Sequence, residues 1–477
     1  ENREYNTFTR TTEDSSQCVP WSRSTAEVGA YIYDRLSADM KKRYAAADIN
    51  RLLRTSLRNF DDDFNMVSTN EAARLIVDHR SGSLYEKKRK LKADRAFFEA
   101  AVTIIGEMYM KGLVDGAKRR AALHGKPAMF IRVKSGIDGD TFKVDLHLWG
   151  KDCAPVSMSI RFAGIDTPES KAFLSKFRCQ KSAVISKFTK DYGLTDKDAQ
   201  MLSDILERRM LYIGKVATLV TLKFIEYVGD MVIPYEDSYM RSVPKGSDAC
   251  DMFDGYGNYG RPIGIIDLHP DYADGKSIDE FMRVKLVELA KDKEARRAYA
   301  EATALSKEER DWIRDWTDRR RRYLADEMTR LSSELARPDL KPSERKEIAD
   351  RMDLVLTEIK TGKSEMGAVL DMNTVPDPSD IFSKESTGKM ADAWHTLTGG
   401  TLRSGDYNAS MLMIGSAWAY LKYRNDKADE YRHIANVADN MDIGLQADPV
   451  FQLLDPLKHG TYVDPKENDQ CYFGDPI

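Results

Sequence analysis

Two neighbouring stretches of apolar–polar alternation, each bordered by carboxylates, constrain this chain more than anything else in it. Thr141 to Leu148 alternates Phe142, Val144, Leu146 and Leu148 with Lys143, Asp145 and His147. Val156, Met158, Ile160 and Phe162 alternate in the same way, and Ala128 to Lys134 reads as a strand before them. Side chains along a strand point to opposite faces with a period of two, so each stretch has one face for a core and one for water.

The strand ends carry the chemistry. Ile137-Asp138-Gly139-Asp140-Thr141 occupies the first turn, and Arg161-Phe162-Ala163-Gly164-Ile165-Asp166-Thr167-Pro168-Glu169 follows the third strand. An Asp-Gly-Asp triplet by itself is a turn, because Gly permits positive φ and Asp bonds its own backbone. Together the two motifs supply what phosphodiester cleavage needs: neutralised non-bridging oxygens, a placed water and an acceptor for its proton. Asp140 and Asp166 suit Ca²⁺, which prefers oxygen ligands, and the Thr167 carbonyl is a natural third ligand. Arg161 offers a planar fork matched to phosphate oxygens, where a lysine would act only as a point charge. Glu169, fixed by Pro168, is placed to orient or deprotonate water, and Asp138 stands behind the metal ligands and positions them.

A third block, Asp254-Gly255-Tyr256-Gly257-Asn258-Tyr259-Gly260-Arg261, precedes the apolar residues Ile263, Ile265 and Ile266 and the run Ala273 to Glu280. With the Asp-Gly-Asp-Thr and Arg-x-x-x-x-Asp-Thr-Pro-Glu motifs, this resembles the staphylococcal nuclease family of Ca²⁺-dependent thermonucleases over about residues 128–292. The resemblance implies Asp140, Asp166 and Thr167 around calcium, Arg161 and Arg261 on the phosphate, and Glu169 as candidate base. Tyr259 remains beside the arginine as a substrate contact. The basic residue expected just before it is Asn258, and Lys291-Asp292-Lys293-Glu294 stands where the family has aromatic residues that pack on the nucleotide.

The implied fold class is α+β: a five-stranded OB-fold barrel of the staphylococcal nuclease type, embedded in mainly α-helical N- and C-terminal extensions. Helical sequence from about Lys171 to Tyr212 breaks near Gly193, with Thr195 as N-cap. Lys215 to Tyr227, rich in Val, Leu, Thr and Phe, reads as the fourth strand, and Arg261 to Leu268 as the fifth. The expected organisation is a polar arm (1–24), a helical region (25–125), the barrel (126–292) with an inserted loop (229–254), a charged helical hairpin (293–363) and a loop-rich C-terminal region (364–477). In the hairpin, Ser306-Lys307-Glu308-Glu309 is a capping-box signature. Leu324, Met328, Leu331 and Leu335 run at near-heptad spacing, and Ile348, Met352, Val355 and Ile359 form the return stripe. Arg319 to Arg322 reads as a solvated face paired with nearby acids. One long helix is expected from about Tyr407 to Asn440.

Composition bounds the rest. The 477 residues, 42% hydrophobic, suffice for two or three cores, and a net charge of −4 argues against a broad basic surface. Attraction for DNA or RNA would come from a local patch. Cys18, Cys153, Cys179, Cys250 and Cys471 show no Cys-x-x-Cys spacing, which disfavours structural zinc and favours reduced thiols in an intracellular or organellar, for example mitochondrial, space. The start at Glu1, with no methionine and no charged-then-apolar leader, is consistent either with a processed precursor or with a trimmed chain, and a cleaved targeting peptide would leave no trace in it. Ala96 to Val114, the most apolar stretch, contains Glu99, Glu107 and Lys111 and reads as a buried helix; no transmembrane segment is expected. Two functions stand: a nuclease acting on DNA or RNA, or a structural subunit of a larger assembly, contacting protein partners through its terminal arms and hairpin and keeping the barrel as a packing module.

Overall fold

The alternating stretches close into a barrel. The computed structural model describes residues 129–147, 156–239, 263–399, 404–421 and 427–460, with short pieces at 22–24, 33–34, 38–43, 66–68, 462–463 and 472–473. Strand β1 (Ser22–Ser24) pairs antiparallel with β2 (Met66–Ser68). The barrel strands are β3 (Phe130–Asp138), β4 (Thr141–His147), β5 (Val156–Phe162), β7 (Val232–Tyr239) and β8 (Ile263–Ile266), in the closed order β3-β4-β5-β8-β7. All neighbours are antiparallel except β5 and β8, which run parallel with Arg161 opposite Ile263 and Phe162 opposite Gly264. A fifth strand returning parallel to the third closes the sheet and removes its exposed edges.

The chain forms two compact units, one from residues 1–163, 222–281 and 398–410, the other from 164–221, 282–397 and 411–477. In the first, Phe142, Val144 and Leu146 of β4 are buried, as the alternation requires. The opposite face is drier than expected. Lys143 is exposed, but Asp145 and His147 are buried, and Asp145 pairs with Lys134 at 2.7 Å. The core is aromatic: Phe142 meets Phe162 edge-on at 4.6 Å, and Phe224 stacks on Tyr407 at 3.6 Å.

The expected fourth strand is a correction. Lys215 to Tyr227 belongs to the 33-residue helix Asp196–Val228 (α2), which follows helix α1 (Ser175–Tyr192). Its buried residues Val216, Val220, Phe224 and Val228 recur at every fourth position, so helical burial overrides β-propensity. Strand β7 takes the fourth place and occupies the early part of the 229–254 segment read as a loop. The break between α1 and α2 falls as anticipated: Gly193 adopts φ 64°, and the Thr195 hydroxyl accepts a hydrogen bond from the Asp198 amide.

In the second unit the hairpin comprises α3 (Lys307–Leu335), opened by a Ser306/Glu309 capping box, and α4 (Pro342–Thr361). Leu324, Leu331 and Val355 form its buried seam with Met328, Ile348 and Met352 against it, while Ile359 is exposed rather than in the seam. The arginine cluster is largely engaged by the chain's own oxygens. Arg319 pairs with Asp198 and Asp315, Arg320 makes a bidentate pair with Glu358, Arg321 lies 3.6 Å from Asp318, and Arg322 donates to the Asp318 carbonyl. Although burial opposes ionisation of Asp198, hydrogen bonds from Arg319, Trp312 and Thr195 hold its carboxyl well below the usual range.

The C-terminal region is more helical than read, with Glu365–Leu370, Pro378–Ile381 and Lys384–Thr398 all helical. The single helix expected from Tyr407 to Asn440 is broken into Tyr407–Met413 and Ala428–Asn440, with strand β9 (Trp418–Ala419) between them. Gly415 explains the break. It adopts φ 69°, and a Cβ there would collide with the Ile443 carbonyl, just as one on Gly444 would collide with that of Ile414. Cys179 is disulfide-bonded, contrary to the expectation of reduced thiols; the other four cysteines lie outside the described residues. So do most of the expected N-terminal helices and the Ala96 to Val114 stretch. Among the described residues no helix is long and apolar enough to cross a membrane.

Candidate functional site

The β3–β4 hairpin turns on Gly139 and Asp140, with Asp138 opposite Thr141. The Asp138 carboxylate accepts a hydrogen bond from the Asp140 amide at 3.3 Å and so shapes the turn that carries Asp140. Register then fixes the next partner. Thr141 pairs with Arg161 across β4 and β5, and the Phe162 amide donates to the Asp140 carbonyl at 3.0 Å. Arg161 Nη1 accordingly donates to Asp140 Oδ1 at 3.1 Å, and the Thr141 hydroxyl donates to the same oxygen at 3.1 Å. Asp140 is buried and the Arg161 side chain is 23% exposed.

Asn408 holds the far end of these strands. Its Nδ2 donates to the carbonyls of Ala163 (3.0 Å) and Gly264 (2.9 Å), and its Oδ1 accepts from the Ile266 amide (3.3 Å). One fully buried amide thus ties the exit of β5 to β8.

In the second unit, strand β6 (Ile165–Asp166) pairs with β9, Asp166 opposite Trp418. Lys176, in the first turn of α1, reaches back to Asp166 Oδ1 at 2.8 Å, Glu169 Oε1 at 3.1 Å and the Thr167 carbonyl at 3.4 Å. The Glu169 backbone rests on α2 at Gly214, where a Cβ would collide with the Glu169 carbonyl and the Ser170 amide. Between Glu169 and Lys176, the chain turns through Phe173, whose side chain is 71% exposed.

Of the residues singled out in the sequence, Asp138, Asp140 and Arg161 are therefore together in one unit, and Asp166, Thr167 and Glu169 in the other around Lys176. Tyr259 and Arg261 lie outside the described residues. Four residues escaped the sequence reading: Lys176, Gly214, Asn408 and Phe173. A glycine inside a long helix is a legible sign of close approach, and Gly214 is one. Asn408 carries no such sign.

The donor chemistry fits a hard cation. Asp166, Glu169 and the Thr167 carbonyl present oxygens only, the ligand type that calcium takes. Among the described residues no three His, Cys, Asp or Glu side chains gather into a metal-ligand group, so this set reaches three ligating groups only through the backbone carbonyl. A groove of about 710 Å³ on the hairpin, floored by Trp316, Leu324, Leu370 and Met372, contains none of these site residues.

Compared with protein-family models, curated proteins and solved structures, the chain matches none. The class that the coordinates define is α+β, with a closed five-stranded barrel and many helices.

Proposed function

We propose that this chain is a Ca²⁺-dependent phosphodiesterase of the staphylococcal nuclease type, hydrolysing DNA or RNA. The observation that carries the reading is the pair between Asp140 in the β3–β4 turn and Arg161 on the neighbouring strand β5, followed within eight residues of Arg161 by Asp166-Thr167-Pro168-Glu169. A carboxylate and a guanidinium at one strand end, with an acid-rich turn next in the chain, are the groups a phosphate ester and a hard cation require.

By resemblance, Asp140, Asp166 and the Thr167 carbonyl would hold the ion. Bound there, calcium would neutralise charge on the ester's non-bridging oxygens. The chain's own residues do the rest. Arg161 grips phosphate oxygens with two parallel donors, and Arg261, by resemblance, supplies the second fork. Glu169 orients the attacking water and accepts its proton. Phe173 offers an exposed ring for an unpaired base, a role the resemblance left open because Lys291 to Glu294 replaces the family's aromatic residues.

The test is cleavage of single-stranded and duplex DNA and RNA by purified protein, with calcium and with chelator. Calcium-dependent turnover lost on chelation is expected. The reading fails if no nucleic acid is cut under any condition.

A second reading, a structural subunit, is favoured by exposed apolar side chains on the hairpin: Tyr323 (48%), Leu354 (72%) and Ile359 (45%). It requires stable association in fixed stoichiometry, and a monodisperse monomer with strong turnover would remove it.

A further inference from the structure

The first turn of a helix is an unfavourable place for a lysine. Unpaired amides give that end a partial positive charge, which favours acidic side chains and opposes cations. The first turn of α1 contains no acid and Leu174 provides no side-chain cap, yet Lys176 is there. What offsets the placement is the cluster it reaches: two carboxylates and a carbonyl around one ammonium, with side-chain exposures of 17% for Lys176, 7% for Asp166 and 16% for Glu169. Carboxylates this sheltered require a compensating charge.

We propose that the Lys176 ammonium is the resident cation of the Asp166–Thr167–Glu169 cluster, and that a divalent ion reaches Asp166 and the Thr167 carbonyl only by displacing it. The inference rests on the calcium reading above and adds to it a competitor carried by the chain itself. Geometry supports exchange rather than sharing. The ammonium donates to Asp166 Oδ1 and to the Thr167 carbonyl and stands 3.1 Å from Glu169 Oε1. Calcium binds oxygens at about 2.3–2.6 Å, closer than the lysine stands, so an ion drawing on Asp166 and the Thr167 carbonyl would lie against the ammonium and be repelled. The Glu169 backbone has little room to retreat because it abuts Gly214. The flexible four-carbon stem of Lys176 is the part that moves. Exchange replaces one positive charge with two, so calcium affinity is set by the difference between the two cations' fit.

The experiment measures calcium binding directly. Isothermal titration with Ca²⁺ alone compares wild type with Lys176→Met, which keeps the stem and removes the charge, and Lys176→Arg, which keeps the charge. Lys176→Met is expected to bind calcium at least tenfold more tightly, and Lys176→Arg to stay near wild type. Equal or weaker binding by Lys176→Met overturns the proposal. Should that variant not fold, the wild-type protein suffices: pulse acetylation read by mass spectrometry should label Lys176 several-fold faster with calcium than without. Unchanged labelling at saturating calcium also overturns it. Neither readout needs turnover. Displacement without cleavage would sink the nuclease reading and leave this one standing, whereas calcium-dependent cleavage with unchanged labelling would do the reverse.

Discussion

Gly214 lies against the Glu169 carbonyl so closely that a methyl group has no room between them. A glycine inside a helix sacrifices about 1 kcal/mol relative to alanine, so at an unconstrained position Gly214→Ala would stabilise α2. Here overpacking should win, with a net loss of about 1–3 kcal/mol. Urea denaturation checks the sign. A raised midpoint would mean that the Glu169 turn yields easily. Under the nuclease reading the same variant should lower kcat more than it raises KM, since it moves the water-orienting carboxylate.

Arg161→Ala should reduce calcium-dependent cleavage by about 10²–10³, the usual effect of removing one charge-stabilising donor. Arg161→Lys should recover little, because a point charge cannot reproduce a two-pronged contact. Single-turnover rates on one oligonucleotide decide it, and an unchanged rate would assign the activity to a contaminant.

Phe173→Ala should weaken single-stranded nucleic acid binding by about 1–3 kcal/mol while leaving kcat nearly intact, because stacking holds the base without touching the ester. Fluorescence anisotropy in chelator, where no cleavage occurs, reads this cleanly. Identical affinities would remove Phe173 from the substrate path.

Asp455 caps the short helix Pro456–His459 through the Leu457 amide and is only 6% exposed. Burial pushes its carboxyl up to about 6, against the opposing pull of that amide and of Lys458. Its ordinary value is about 3.9. Between the two values the folded chain binds a proton that the unfolded chain releases, so stability falls as pH rises through this window. The difference corresponds to at most about 3 kcal/mol. Asp455→Asn keeps the cap and removes the charge, so the variant should gain on wild type as pH rises from 4 to 7. A difference in unfolding free energy that is constant across that range would contradict the assignment.

Arg209 and Asp448 form an ion pair at 3.0 Å with both side chains fully buried, and Arg209 also donates to the Ala368 and Val369 carbonyls. Removing either partner should cost about 3–5 kcal/mol, because the survivor is a stranded charge. Arg209→Met with Asp448→Asn should cost less than the sum of the single changes, as a double-mutant cycle in denaturant would show. Additive losses would mean the two act independently.

Local features were legible because they depend on adjacent residues. The alternation of β4, the Gly193 break, the Thr195 cap and the Ser306 capping box all have their cause and effect within a few positions. Misreadings arose where distant packing decides. Lys215 to Tyr227 has strand-forming composition, and only a core able to receive its helical face makes it a helix. The break at Gly415 depends on the approach of the Ile443 backbone. The amide that ties β5 to β8 comes from Asn408, more than 200 positions after Ala163. The site divides in the same way. Asp138, Asp140 and Arg161 were found from one hairpin and its neighbouring strand, whereas the contact between Lys176 and Asp166 depends on how α1 folds back.

The aromatic centre of the barrel unit has a consequence for synthesis. Tyr407 lies against Phe142, Phe162, Phe224 and Phe281. A polypeptide emerging from the ribosome presents four of these rings well before the fifth, because Tyr407 follows Phe281 by more than 100 positions. A gene truncated at residue 292 would encode every barrel strand and still yield a product with an open, greasy interior, prone to aggregate where a chain that includes Tyr407 settles.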